Sequence, residues 1–230
     1  MSKPLIIMVG ADKGGVGKTT VARLLADYIQ AKSIGTRLFD AEYPNGDLKR
    51  FAGAAEIVDL VAVGDQMRVF DSVAGTTVVD VRAGMLSGVL AALNEVKLLD
   101  DVRSGALNLV LLHVVGPSMG SLEEIGKMAT ALGSGAHHML VKNHVSDGGF
   151  FEWDANSKFK EMFDSHVTID VPHLTPRATE TVQLRQCSFQ AFANDTNNSR
   201  MLRGYVQAWL DKCWIEFDRV GLGQLIAGSV

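Results

Sequence analysis

Six short apolar runs recur along the chain, and segments with helical spacing lie between them. The runs are Leu5–Val9, Thr36–Asp40, Thr76–Val81, Leu107–Val115, His138–Asn143 and Val167–Val171. Several are nearly continuous in Val, Leu and Ile, which is typical of strands buried on both faces of a sheet. Strands that alternate with helices indicate parallel pairing through right-handed crossovers. We therefore predict an α/β fold, a doubly wound and mostly parallel sheet with helices on both faces.

The helical segments are less uniform. Leu86–Leu99 and Ser121–Leu132 have helical spacing, whereas residues 41–75 show no long periodicity and are predicted to be a loop with short irregular elements. A long C-terminal helix is predicted at about 197–217. Its inner face would carry Leu202, Tyr205, Val206, Trp209, Leu210, Cys213 and Phe217. The apolar tail 220–230 lacks the basic face of a membrane-binding amphipathic helix, so we expect it to pack against the domain or to be disordered.

Size and charge narrow the class of protein. A chain of 230 residues suits one large domain, 1–230, and a net charge of −4 argues against a surface coated with nucleic acid, although a local basic patch remains open. No apolar run approaches the roughly 18 residues that span a bilayer, and Lys3-Pro4 leads directly into the first strand without room for a cleavable signal. Cys187 and Cys213 have no metal-type spacing. We expect a cytoplasmic protein without membrane attachment.

A glycine- and lysine-rich stretch follows the first strand: Lys13-Gly14-Gly15-Val16-Gly17-Lys18-Thr19-Thr20. An apolar stripe with helical spacing comes next, so the stretch lies between a strand and a helix, the setting of a phosphate-binding loop. Glycines let backbone N–H groups surround an anion, and the helix N-terminus adds partial positive charge. Lys18 can reach the outer phosphates and the Thr19 hydroxyl can ligate Mg²⁺. The alternative, a glycine-rich turn with incidental lysines, is disfavoured by an eight-residue match.

The loop departs from the strict pattern, which has glycine where this chain has Asp12, and it adds Lys13. The string KGGVGKTT resembles the deviant phosphate loop of the ParA/MinD family of dimeric ATPases. The resemblance implies that ATP and Mg²⁺ are bound by the loop, residues 13–20. It also implies that Lys13 reaches across a nucleotide-sandwich homodimer to the phosphates bound by the partner.

An acidic segment follows the second strand and resembles the family's second motif. The resemblance places Asp40 near the Mg²⁺ shell and gives Glu42 the task of positioning the attacking water. Glu42 stands where relatives have the shorter aspartate, and Tyr43 is an extra residue before Pro44. Hydrolysis is therefore expected to be slow, or to use another group to place the water. The alternative is a solvated loop entrance.

The apolar run that ends at Asp80 resembles a Walker B strand, and D-V-R-A-G follows the family's D-T-P-P-G without its prolines. Asp80 would hold Mg²⁺ through a water, and Gly84 would offer its N–H to the γ-phosphate. The alternative for Asp80 is a structural salt bridge. Arg82 is either a further phosphate contact or a surface arginine, and we favour the surface arginine slightly.

Two later strand ends resemble the positions that relatives place against adenine, Asn143 and the turn at Pro172. Asparagine at a strand end is also ordinary turn chemistry. The lysine–aspartate pair that reads guanine in GTPases follows neither strand, so ATP is preferred. The six histidines have no metal-triad spacing, and His137 and His138 fall on opposite faces of one strand.

The resemblance as a whole implies a Mg²⁺-dependent ATPase that dimerises around ATP and acts as a nucleotide-timed switch, with a partner protein that stimulates hydrolysis. The short span from acidic switch to Walker B is similar to the small plasmid-borne ATPases of DNA partition or conjugative transfer, the StbB type. The alternatives are a small-molecule kinase of the dethiobiotin synthetase type and a nucleotide-gated binding protein with negligible turnover.

Partition relatives bind DNA non-specifically through C-terminal basic residues. Those of this chain are Arg177, Arg185, Arg200, Arg203, Lys212 and Arg219.

Overall fold

Seven parallel strands form one sheet in the computed structural model, in the order β3-β2-β4-β1-β5-β6-β7. The structure describes residues 3–11, 14–71, 73, 75–115, 136–145, 161 and 164–229. The strands are β1 Leu5–Gly10, β2 Thr36–Asp40, β3 Glu56–Ile57, β4 Thr76–Asp80, β5 Asn108–Val115, β6 Ala136–Asn143 and β7 Val167–Val171. The six predicted strands are confirmed to within two residues at each end, and the parallel sheet is confirmed.

Both faces of the sheet are buried, as the continuous apolar runs predicted. Strand β1 shows why: Leu5, Ile7 and Val9 pack into one hydrophobic cluster, whereas Ile6 and Met8 pack into the other. Successive side chains of a strand point to opposite faces, so a strand covered on both sides must be apolar at every position.

Helices cover each face of the sheet. Those in the described residues are α1 Lys18–Ala31, α2 Val63–Phe70, α3 Leu86–Glu95, α4 Leu98–Ser104, α5 Pro176–Arg185, α6 Phe189–Asn194, α7 Arg200–Arg219 and α8 Leu222–Ala227. The cluster on one face takes its helical members from α1 and from α5 to α8, and the cluster on the other takes them from α2 to α4.

Two predicted segments differ in the structure. The segment Leu86–Leu99, predicted to be helical, is divided between two helices, α3 and α4. Lys97 adopts a left-handed backbone conformation (φ 63°), which separates the end of α3 at Glu95 from the start of α4 at Leu98. The described part of residues 41–75 contains the two-residue edge strand β3 and the eight-residue helix α2, which are too short for periodicity to reveal. The helix predicted at Ser121–Leu132 lies outside the described residues.

The long C-terminal helix is present as α7, shifted by about one turn at its start. Val206, Trp209, Leu210, Cys213 and Phe217 are buried as predicted, whereas Leu202 is only half-buried.

One predicted inner-face residue of α7 is wrong. Tyr205 is 48% exposed, since it lies about 100° around the helix from the buried Val206.

The tail packs against the domain. It forms α8, whose Leu222 and Ile226 are fully buried. Beyond the helix, the Ser229 hydroxyl lies 2.6 Å from that of Thr76 at the start of β4. The alternative of a disordered tail is therefore wrong for residues up to 229. Among the described residues, the structure contains no helix of the length and apolarity needed to cross a membrane.

Candidate functional site

The predicted site residues lie beyond the carboxyl ends of the central strands. The loop that enters α1 follows β1, and strands β2 and β4 lie side by side so that Asp40 and Asp80 are register partners. Asn143 and Val171 are likewise partners at the ends of β6 and β7. In open parallel sheets this edge is where ligands bind.

The phosphate-binding loop has the backbone that its glycines predict. Gly15 and Gly17 have positive φ values of 80° and 86°, a conformation that residues with a Cβ rarely adopt. Gly17 precedes the first residue of α1, and no side chain among the described residues caps that end of the helix. The first-turn N–H groups therefore face the cleft, where an anion can satisfy them. Asp12 and Lys13 lie outside the described residues.

Lys18 is 7% exposed, and its Nζ lies 3.7 Å from Oε1 of Glu42. The other carboxylate oxygen of Glu42 lies 3.9 Å from Nε of Arg82. The structure thus brings the lysine of the loop and the acidic segment after β2 together, and their predicted roles stay predictions. Arg82 is at the surface, 57% exposed, and its side chain borders the predicted site through this contact with Glu42.

Thr19 and Asp80, which the sequence analysis placed at the same Mg²⁺ site, are in direct contact. The Thr19 hydroxyl donates to Oδ2 of Asp80 at 2.9 Å. Asp80 is fully buried, and its Oδ1 has no hydrogen-bond partner among the described residues. Burial raises the pKa of Asp80 to about 7, although Thr19 and Lys18 both act to lower it. The structural salt bridge considered for Asp80 is absent from the described residues.

An orphaned, buried carboxylate oxygen beside a threonine hydroxyl fits a hard divalent cation such as Mg²⁺. No group of three His, Cys, Asp or Glu side chains in the described part of the chain could hold a metal unaided. Mg²⁺ would therefore be held by Thr19 and Asp80 together with phosphate oxygens of a nucleotide, which is how Mg²⁺ is usually bound in phosphate-transfer sites.

Asp40 has a visible structural task. Its carboxylate is fully buried and accepts hydrogen bonds from the N–H of Glu42 at 3.0 Å and from the N–H of Lys49 at 2.8 Å. These bonds fold the segment after β2 back toward the strand end. The predicted place of Asp40 in the Mg²⁺ shell stays a prediction.

Gly84 has the positive φ (72°) of a glycine turn, but its N–H is engaged. It donates to the Ala11 carbonyl at 2.9 Å. A contact between this N–H and a γ-phosphate would require that bond to open, and the predicted contact stays a prediction.

Asn143 is buried, and its side-chain N–H₂ donates to the carbonyl of Val16 at 2.8 Å. A Cβ added to Gly17 would lie only 2.0 Å from Nδ2 of Asn143. The asparagine therefore holds the phosphate-binding loop in place, a task the sequence analysis did not foresee. A contact of its remaining oxygen with adenine stays a prediction.

We expect Asn143→Ala to lower the stability of the nucleotide-free protein by about 1–3 kcal/mol, because the Val16 carbonyl and its surroundings lose a buried hydrogen bond. Urea unfolding without nucleotide measures this. Asn108→Ala, at the start of β5 and half-buried, is the matched control. If Asn143→Ala were as stable as the wild type but bound ATP more weakly, Asn143 would contact the adenine base without stabilising the loop.

The far wall of the cleft is built by Pro172, Phe189 and Trp209. The Trp209 indole N–H donates to the Pro172 carbonyl at 2.6 Å, and the Phe189 and Trp209 rings meet edge to face at 4.8 Å between centroids. Helix α7 thus fixes the turn after β7. The cleft has a volume of about 340 Å³. Its lining includes Gly15, Gly17, Lys18, Thr19, Thr20, Asn143, Pro172, Phe189 and Trp209.

Arg23, one turn into α1, also lines this cleft and was missed by the sequence analysis. Its guanidinium is stacked between the rings of Phe51 and Phe189, at 3.6 Å and 4.0 Å from their centroids. Burial lowers the pKa of Arg23 to about 10. An arginine on a helix gives no sequence signal that two distant aromatic rings will enclose it.

The C-terminal basic residues differ in exposure and in ion pairing. Arg203 is half-buried, and Arg219 donates to the Glu216 carboxylate at 2.7 Å. Arg177, Arg185, Arg200 and Lys212 are exposed, but acidic residues such as Glu180 and Asp211 lie among them in sequence and are exposed too.

No family model matches the sequence. Protein MobD of Acidithiobacillus ferrooxidans is 22% identical over 191 residues, which are 80% of this chain and 84% of MobD. A nucleotide-binding protein from Archaeoglobus fulgidus, solved with ADP, superposes with a TM-score of 0.52 at 15% identity and covers 92% of this chain and 90% of its own.

The MinD cell division protein of Aquifex aeolicus superposes with a TM-score of 0.52 at 12% identity and covers 90% of this chain and 97% of its own. At such identities the likeness shows the fold alone, a parallel sheet covered by helices on both faces. The predicted fold class is confirmed.

Proposed function

We propose that this protein is a Mg²⁺-dependent ATPase that dimerises around bound ATP and works as a nucleotide-timed switch. The main support for the proposal is Oδ1 of Asp80, a buried carboxylate oxygen without a hydrogen-bond partner among the described residues. The other oxygen of this carboxylate accepts from the Thr19 hydroxyl, and Lys18 lies at the same edge of the sheet. The Mg²⁺ ion of a bound MgATP would give Oδ1 a partner of opposite charge.

The residues divide the work of binding and hydrolysis. The first-turn N–H groups of α1 and the Lys18 ammonium bind and orient the phosphates. Mg²⁺, when bound, neutralises charge that develops on the outer phosphates. Glu42, next to Lys18, orients the attacking water, and the wall formed by Pro172 and Trp209 encloses the base. Lys13 completes the site of the second copy in the dimer.

In the cell, we propose that the switch serves plasmid partition or conjugative transfer in the cytoplasm, with a partner protein that stimulates hydrolysis. The support is the compact segment between Asp40 and Asp80 and the deviant loop. DNA contact through exposed Arg177, Arg185 and Arg200 is part of this proposal. Fluorescence anisotropy with random duplex DNA tests it, since binding should need ATP and weaken as salt rises through counterion release. If the protein does not bind DNA in the presence of ATP, the partner of the switch would be a protein and not DNA.

Lys13→Ala should keep ATP affinity within about threefold of the wild type and abolish both the ATP-dependent rise in molecular mass and stimulated turnover, because the charge that neutralises the partner's phosphates is lost. Light scattering with ATP and with ADP measures the mass, and calorimetry measures the affinity.

An ATP-bound Lys13→Ala protein that still dimerises and hydrolyses normally would show that Lys13 is only a loop residue. Wild-type turnover that requires a metabolite acceptor would instead favour a small-molecule kinase. ATP binding with no hydrolysis, even with a partner, would favour a nucleotide-gated binding protein.

A further inference from the structure

Three charged side chains from three separate segments meet over the phosphate-binding loop. Lys18 comes from the start of α1, Glu42 from the segment after β2 and Arg82 from the segment after β4. Glu42 lies between the two cations, with nearly equal distances of 3.7 Å to Lys18 and 3.9 Å to Arg82. Neither cation holds the carboxylate alone.

The backbone that carries Arg82 is tied down. The N–H of Val81 donates to Val9 at 2.9 Å, and the N–H of Met85 donates to the Arg82 carbonyl at 3.1 Å across a tight turn. The adjacent Gly84 is bonded to Ala11. The backbone of Arg82 is therefore held in place beside the phosphate-binding loop. Its side chain, which is 57% exposed, can still change conformation.

The backbone of Glu42 is fixed in a similar way. Its N–H donates to Asp40, and its carbonyl accepts from the N–H of Gly46 at 2.8 Å. The side chain still has one more rotatable bond than the aspartate of the resembled motif. Without a second cation, its carboxylate would turn toward Lys18, the charge that has to face the phosphates.

We propose that Arg82 is a positioning residue for hydrolysis, which holds the Glu42 carboxylate away from Lys18 and in place for the attacking water. This inference rests on the proposed ATPase function and deepens it. It explains how a chain with glutamate at the water-positioning place can keep that longer side chain oriented. Arginine suits the task because its charge is permanent and its planar group restricts the geometry of a carboxylate partner.

The test compares Arg82→Gln, Arg82→Lys, Glu42→Gln and the double variant Arg82→Gln/Glu42→Gln. Arg103→Gln is the matched control, because Arg103 is also an exposed arginine that is ion-paired with a carboxylate, Asp100, but lies on α4. Single-turnover ATP hydrolysis gives the rate, and equilibrium binding of a non-hydrolysable ATP analogue gives the affinity. Thermal unfolding verifies that every variant is folded.

We expect Arg82→Gln to slow single turnover by about 10-fold or more, as expected when a group that orients the water-positioning residue is lost. Arg82→Lys should recover part of the rate. Analogue affinity should fall by only about threefold in Arg82→Gln, because Glu42 then competes for Lys18, and it should recover in the double variant. The double variant should hydrolyse no more slowly than Glu42→Gln.

Wild-type rates in Arg82→Gln would overturn this inference and leave the ATPase proposal intact. If the rate loss in the double variant equalled the product of the losses in the two single variants, the inference would also be overturned, since Arg82 would then act on the phosphates independently of Glu42. A wild-type protein that binds no nucleotide would overturn the proposed function itself, a result that differs from both.

Discussion

Replacement of Lys18 by alanine is expected to weaken ATP binding by about 100-fold or more, which corresponds to about 2.7 kcal/mol. Lys18 is 7% exposed and lies at the N-terminus of α1, so its charge is poorly screened and is held where outer phosphates would lie. Its removal also leaves Glu42 paired only with Arg82, and the net positive charge that faces an anion falls by one.

Isothermal titration calorimetry of MgATP and MgADP measures this effect. Lys32→Ala is the matched control, because Lys32 follows the same helix at its other end and is 37% exposed in an ion pair with Asp218. It should bind nucleotide as the wild type does. A Lys18→Ala protein that is folded and retains wild-type affinity would remove the phosphate-binding assignment.

The sheet could be predicted from sequence because its strands satisfy one strong requirement. A strand covered on both faces must be apolar at consecutive positions. Strand β1 meets this requirement without interruption, and the buried part of β5 departs from it only at His113. Shorter elements lack such a signal. The break at Lys97 depends on one left-handed residue, and α2 buries only Val69 and Phe70 among its eight residues.

The site was predictable wherever local chemistry is tied to a strand end. Lys18 and Thr19 are placed by a motif whose backbone geometry follows from its glycines, and Asp80 is placed by the end of the apolar strand β4. The structure brings Thr19 and Asp80 into contact. Long-range partnerships had no such signal. The bond from Asn143 to Val16 joins residues 127 positions apart, and nothing local in the sequence indicates it.

A second large effect concerns a pair of histidines that the site does not use. His113 of β5 is 3% exposed, and its ring is nearly parallel to that of His138 of β6 (interplanar angle 4°), with 5.4 Å between centroids. Nε2 of His113 lies 3.1 Å from Nδ1 of His138, so one neutral ring donates to the other. Burial, together with the nearby His138 and His166, lowers the pKa of His113 to about 3. Burial also lowers the pKa of His138.

The sign of the pH effect follows from these shifts. His113 titrates near its ordinary pKa of about 6.5 when the chain is unfolded but near 3 when it is folded, so the unfolded state binds more protons between these values. The stability that neutral His113 provides is complete above about pH 6.5 and is lost as the pH falls. By pH 5 the loss from this one residue should be about 2 kcal/mol, because each pH unit below 6.5 costs about 1.4 kcal/mol.

We therefore expect the free energy of unfolding in urea to fall between pH 7.5 and pH 5 in the wild type. In His113→Leu the fall should be smaller by about 2 kcal/mol, because the leucine has no proton to bind in the unfolded state. His137→Gln, an exposed histidine on β6, is the control and should keep the wild-type pH dependence. If the free energy of unfolding depended on pH equally in His113→Leu and in the wild type, His113 would not be the cause of the acid sensitivity.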